Sequence, residues 1–160
     1  MSFVAQLIPK LATSDRRSVV FVRSDDRKQL NAAAWFATID NPFYEPKRTR
    51  RDVRERFDYW IGGGAPYNKY FHGWDNPKYR RCFCFKWTER NVMNRFYGFL
   101  CHPQPETRPR FELCALLSHD VKHTHATEES HLRMAADLCV ESRVMAALQM
   151  YFPDKVELKQ

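Results

Sequence analysis

Apolar and polar positions along the chain follow two periods, and each marks a different kind of element. Residues 18–24 (SVVFVRS) are β-branched and short, which predicts a strand. Over 25–40 the spacing changes: Leu30, Ala33, Ala34 and Ala37 fall at i, i+3, i+4 and i+7, the stripe of an amphipathic helix. Ser24 is placed to cap that helix, with Asp25 and Asp26 in a first turn that favours negative charge. Pro42 and Pro46 break it. A second helix is predicted over 49–61, capped by Thr49. Val53, Phe57, Trp60 and Ile61 line one side, Arg50, Arg51, Arg54 and Arg56 the other. Gly62, Gly63 and Gly64 end it as a C-cap and turn.

Period two then takes over. In KYRRCFCFKW (78–87), Tyr79, Arg81, Phe83, Phe85 and Trp87 alternate with Lys78, Arg80, Cys82, Cys84 and Lys86, predicting a strand. Residues 95–102 and 110–119 predict two more, the last apolar enough to be central in a sheet. A long helix is predicted from Thr127 to about Phe152, stopped by Pro153. The order strand, helix, helix, three strands, helix defines an α+β fold. A small antiparallel sheet would have helices packed on one face and leave the other free to carry Arg and Lys. At 160 residues the chain is read as one domain, with 1–17 either an N-terminal arm or part of the fold.

Composition sharpens this picture. A 44% hydrophobic and 14% aromatic content supplies enough apolar surface for a packed core and argues against disorder. No apolar run approaches the length of a membrane helix, and the start lacks signal-peptide features. Five cysteines, an odd number without disulfide spacing, read as reduced buried thiols of a cytoplasmic protein. The net charge of +7 belongs to the N-terminal part: residues 1–100 carry 19 basic against 10 acidic side chains. Such a field favours RNA, another polyanion or an acidic protein partner, and otherwise serves solubility.

Lys78-Tyr79-Arg80-Arg81, opening an aromatic strand, is followed later by a strand ending in Leu116-Leu117-Ser118-His119. Lys122, Thr127-Glu128-Glu129 and Ala135-Ala136 come next. In element order and in these local features the chain resembles the RelE/ParE toxin superfamily, in particular its HigB-like and phage-derived branch. The resemblance spans roughly residues 18–140. The loops at 40–48, 65–77 and 103–109 depart from it. It implies a β-α-α-β-β-β core with a C-terminal helix, cleavage of messenger RNA, often on the ribosome, and an antitoxin partner. Some members of the superfamily poison DNA gyrase instead.

The candidate chemistry is that of a ribonuclease working without a metal. Such an enzyme needs a base for the 2′-hydroxyl, an acid for the leaving 5′-oxygen, and cations for the charged transition state. His119, Lys122, His123 and His125 are the acid–base candidates, because histidine titrates near neutrality. Arg80, Arg81, Lys86 and Arg95 are phosphate-binding candidates on neighbouring strands. Arg50, Arg51 and Arg54 could track a nucleic-acid backbone or dock an acidic segment. Each histidine could equally be a polar strand end bonded to a turn. Tyr67, Tyr70, Phe71, His72 and Trp74, with Lys69, could stack on bases or fold onto the core. Zinc fits less well: Cys82-x-Cys84 and the histidines lack a matched second ligand pair, so neither a metal nor a cofactor is expected. A non-enzymatic phage or plasmid regulator that binds nucleic acid or an acidic protein is the alternative. The catalytic reading requires the histidines to meet the strand cations on one accessible face.

Overall fold

The structure is a computed structural model, and it describes residues 2–106, 110–121 and 125–152. Among the described residues, ten strands and α-helices follow one another, with a short 3-10 turn (Pro77–Tyr79) before β4: β1 (Val4–Leu7), β2 (Arg17–Arg23), α1 (Ala32–Ile39), α2 (Arg48–Ile61), β3 (Phe71–Gly73), β4 (Cys82–Glu89), β5 (Val92–Cys101), β6 (Glu112–Val121), α3 (His125–Leu138) and α4 (Ser142–Gln149). The strands form one six-stranded sheet in the order β1-β2-β6-β5-β4-β3. β2 and β6 run parallel, and every other pairing is antiparallel. The fold is α+β, as the element order predicts.

The helices, however, divide between the two faces instead of covering one. The reason lies in β6. Leu113, Ala115 and Leu117 pack with α3 and α4, while Cys114 and Leu116 pack with α1 and α2. A strand apolar on both sides needs a cover on both sides, and this is what the near-continuous apolar run in β6 encodes. On the α1/α2 face Phe21, Phe36, Phe57, Phe85 and Phe96 form a ring-packed core, with Phe57 in edge contact with Phe85 at 4.9 Å. On the α3/α4 face Phe99, Phe111, Leu132, Leu138 and Leu148 belong to a second core of mixed aromatic and aliphatic side chains.

Other boundaries shift for local reasons. Residues 25–31 turn instead of extending α1. The Ser24 Oγ accepts from the Asp26 N–H and the Ser24 carbonyl from the Arg27 N–H, a local competitor to helix. The predicted C-terminal helix is two: the chain turns after Leu138, and the Glu141 carboxylate accepts from the Arg143 N–H to start α4. Residues 4–7 form the edge strand β1, with Phe3, Ala5 and Ile8 buried on either side, so this segment belongs to the fold. The glycines at 62–64 cap α2 as predicted. Gly62 and Gly64 donate to the Asp58 and Tyr59 carbonyls, and Gly63 takes φ +82°, a left-handed conformation. Among the described residues, no helix is long and apolar enough to cross a membrane.

Candidate functional site

Strand alternation sends Phe83, Phe85 and Trp87 of β4 into the α1/α2 core and Cys82 and Cys84 toward α3. Lys86 therefore faces α3. In β5, Phe96 points to the α1/α2 core, so Arg95 and Tyr97 also face α3. Register puts Lys86 directly opposite Arg95, and Arg95 directly opposite Asp120. Such partners have Cβ atoms about 5 Å apart. A cation, a second cation and a carboxylate thus cross three strands in one row. The next row holds Cys84, Tyr97 and Ser118.

The first two turns of α3 lie over these rows. Glu128 accepts from Arg95 Nη1 at 2.5 Å and from the Tyr97 hydroxyl at 3.4 Å. His131 stacks on Tyr97, with ring centroids 4.8 Å apart and planes 11° from parallel. Its Nε2 lies 3.3 Å from Asp120 Oδ2 and its Nδ1 2.7 Å from Ser118 Oγ. With the Nε2 proton directed at Asp120, Nδ1 accepts from the Ser118 hydroxyl. Burial pushes the His131 pKa down, only partly opposed by Asp120, so the ring is neutral at pH 7. Lys86 and Arg95 are 5% and 6% exposed. Arg95 Nε is buried and has no hydrogen-bond partner among the described residues. His131 also lines a cleft of about 430 Å³, together with Arg27, Arg133 and Asp137.

The predicted residues separate into groups. Lys86 and Arg95 come together as expected of neighbouring strands, but under α3 and not on an open face. His119 points the other way. It stacks on Trp35 at 4.1 Å between centroids, its Nε2 meets Asn94 Oδ1 at 2.8 Å, and its N–H donates to Asn31. Burial lowers its pKa to about 4. The predicted meeting of His119 with the strand cations therefore does not occur, because the register irregularity at Leu117 leaves Ser118 and Asp120 facing α3 and turns His119 to the α1 side. Arg80 and Arg81 are exposed beside the start of β4. Arg81 stands five positions and Arg80 six from Lys86, about 17 and 20 Å at ~3.3 Å per residue. Arg81 Nε donates to the Leu100 carbonyl at 3.3 Å.

On α2, Arg54 grips Asp40 through Nε and Nη2, at 2.8 and 2.7 Å, and Arg50 Nε reaches the same carboxylate at 3.1 Å. Both hold α2 to the end of α1, which depresses the Asp40 pKa. Arg51 is exposed on the outer side. Lys122 and His123 lie outside the described residues, as does the side chain of His125, the first residue of α3. In the aromatic loop Phe71 is buried, Tyr70 bonds Glu55 at 2.5 Å, and Tyr67 is exposed. Cys82 and Cys84 are buried core thiols. Among the described residues, no group of three or more histidine, cysteine, aspartate or glutamate side chains is arranged to hold a metal ion.

Sequence reasoning missed Tyr97, Asp120, Glu128 and His131 as a set. The signal was available. Continuing the α3 stripe of Leu132 and Ala135 back by helical periods reaches Glu128 and His131, which must then face the sheet. No protein-family model, no curated protein and no solved structure matches this chain.

Proposed function

We propose that the protein is a small basic ribonuclease of toxin type that cleaves messenger RNA in the cytoplasm without a metal, with its centre on the sheet face beneath α3. What carries the reading is the pairing of two buried cations, Lys86 and Arg95, with the imidazole–carboxylate pair His131–Asp120 at the same level of the sheet. The roles follow from chemistry. The His131–Asp120 pair takes the proton of the 2′-hydroxyl. The oxygen attacks phosphorus, the bond to the 5′-oxygen breaks, and the protonated pair returns the proton to that oxygen. A 2′,3′-cyclic phosphate and a 5′-hydroxyl result. Lys86 and Arg95 neutralise the charge that develops on the non-bridging oxygens, where burial strengthens their effect. Arg27 and Arg133, which line the adjoining cleft together with Asp137, give the RNA backbone a path to His131. An acidic antitoxin-like protein is the partner this reading implies.

The test is incubation of purified protein with RNA in EDTA. The expected products carry cyclic phosphate ends. His131→Ala and Arg95→Lys each slow cleavage by about a hundredfold or more, the usual cost of losing one acid–base or charge-stabilising group. His119→Gln, altered on the opposite face, stays within a few-fold of wild type. Binding without cleavage, falling steeply with added salt, would replace this reading with that of a non-enzymatic nucleic-acid-binding regulator.

A further inference from the structure

Two clefts open side by side at the end of the sheet where β2 and β6 begin, and Arg17 and Glu112 line both. The two residues stand opposite each other in the parallel pairing, with Arg17 Nε 3.2 Å from Glu112 Oε1. Val19 and Cys114, two positions on, pack with α1 and α2, so this ion pair faces α2 as well. The guanidinium is held further. It lies 4.6 Å over the Trp60 ring, and its Nη1 donates to the Trp60 carbonyl at 2.9 Å. The ion pair is therefore a fixed divide, and the clefts on its two sides have different linings.

The first cleft, of about 490 Å³, is aromatic, lined by Trp60, Tyr67, Phe71 and Phe83. Trp60, Phe71 and Phe83 belong to the buried α1/α2 core, whereas Tyr67 is 41% exposed. The rings of Tyr70 and Tyr59, at 4.7 and 6.4 Å, brace Tyr67. A braced, partly open ring in an apolar cleft is a platform for a planar heterocycle. The second cleft, of about 710 Å³, is polar, lined by Ser14, Arg16, His102 and Arg110, with Asp15 as its other carboxylate. Arg16 and Arg110 are exposed and form no ion pair among the described residues. Ser14 Oγ accepts from the Arg16 and Arg17 N–H groups, which leaves its own proton to donate. Three arginines face Asp15 and a Glu112 already tied to Arg17, so the cleft is net positive. Guanidinium forks and a hydroxyl are the donors that suit a phosphate. Both volumes lie in the range of small-molecule sites.

We propose that this end of the α2 face binds a nucleotide, with its base against Tyr67, its sugar across the Arg17–Glu112 pair and its 5′-phosphate between Arg16 and Arg110. An aromatic cleft by itself would take any flat apolar molecule, and a basic one any anion. Their meeting at a single ion pair selects a ligand that carries both. Glu112 keeps acceptor sites beyond its contact with Arg17, and these take a sugar hydroxyl. The site lies on the opposite face of the sheet from His131, and it goes beyond the ribonuclease reading without depending on it.

The experiment is calorimetric titration with adenosine 5′-monophosphate and with adenosine, on proteins shown by circular dichroism to be folded. The monophosphate binds about tenfold or more tightly than the nucleoside, the scale of added charge-assisted bonds. Two exposed positions then separate the halves of the site. Arg16→Gln weakens the monophosphate about tenfold and leaves adenosine within about twofold. Tyr67→Ala weakens both about tenfold, the scale of one stacked base. Should Tyr67→Ala fail to fold, Tyr67→Leu keeps apolar packing against Tyr59 and Tyr70 and gives the same loss. A 5′-phosphorylated, 2′-O-methylated trinucleotide, which has no 2′-hydroxyl to attack, tells the two sources of a nucleotide apart. Affinity at or above that of the monophosphate makes the occupant the end of an RNA strand, and a drop of about tenfold makes it a free nucleotide. No binding of the monophosphate overturns the proposal, as does equal affinity for adenosine, or an affinity unchanged in both folded variants. No cleavage enters these readouts, so an absent ribonuclease activity leaves this site standing, and an absent site leaves the ribonuclease reading standing.

Discussion

At the residue scale, adjacent residues meet opposite surroundings according to which side of one strand they occupy. His119 and Asp120 are neighbours in sequence, yet His119 is sealed between Trp35 and Phe96, and Asp120 meets His131. The burial that lowers the His119 pKa gives it a measurable effect on stability. Its pKa is depressed from 6.5 to about 4 in the folded protein, so protonation favours the unfolded chain. Its stabilising contribution is complete above pH 6.5 and is lost as pH falls toward 4. Urea unfolding at pH 7 and pH 4.5 measures this. Wild type loses on the order of 2 kcal/mol from this group over that interval, and His119→Gln lacks that part of the acid sensitivity.

At the element scale, the device that sets which side chains of β6 face α3 is a bulge. Pairing of β5 with β6 shifts register between Tyr97 and Gly98, so that Tyr97 opposes Ser118 while Gly98 opposes Leu116. Leu117 is the extra residue, and it allows Leu113, Ala115 and Leu117 to pack with α3/α4 while Ser118 and Asp120 still face α3. Gly98 makes the close approach possible: a Cβ there would stand 2.0 Å from the Ala115 carbonyl oxygen. Backbone on both sides cannot yield, so Gly98→Ala destabilises the protein by about 3 kcal/mol or more. Thermal denaturation against wild type measures it, and a loss under about 1 kcal/mol would mean that the strands separate more easily than this packing implies.

At the scale of the whole molecule, two helical layers seal one sheet, and the thiols record how well. Cys82, Cys84, Cys101 and Cys114 are buried in the sheet, and the pKa values of the first three are pushed up to about 12 by that burial. Only the thiolate reacts with alkylating agents, so these four resist iodoacetamide at pH 8 until the fold opens as a unit. Mass spectrometry across a urea titration follows the event. The four labels appear together at the global unfolding midpoint, and early labelling of Cys82 alone would mark independent loosening of α3, whose Leu132 carbonyl accepts from that thiol.

Much of this protein is written locally. Periodicity and punctuation were enough to indicate β2, α2, β4, β5, β6 and the glycine cap, because each rests on contacts within about ten residues and on a stripe that only one geometry can bury. Lys86 and Arg95 were legible as neighbours for the same reason, since short links make sequential strands pair. The sequence did not locally dictate which carboxylate meets Arg95. Glu128 reads as a first-turn residue suited to a helix dipole, and His131 as an ordinary helical polar residue, until α3 folds back over strands more than thirty positions away. Nor did it locally dictate the cover on the second face or the burial of His119. Burial and charge pairing between distant segments are properties of packing. One strand of alternating side chains fixes which residues share a side, but only the assembled layers decide which side meets solvent and which meets a helix.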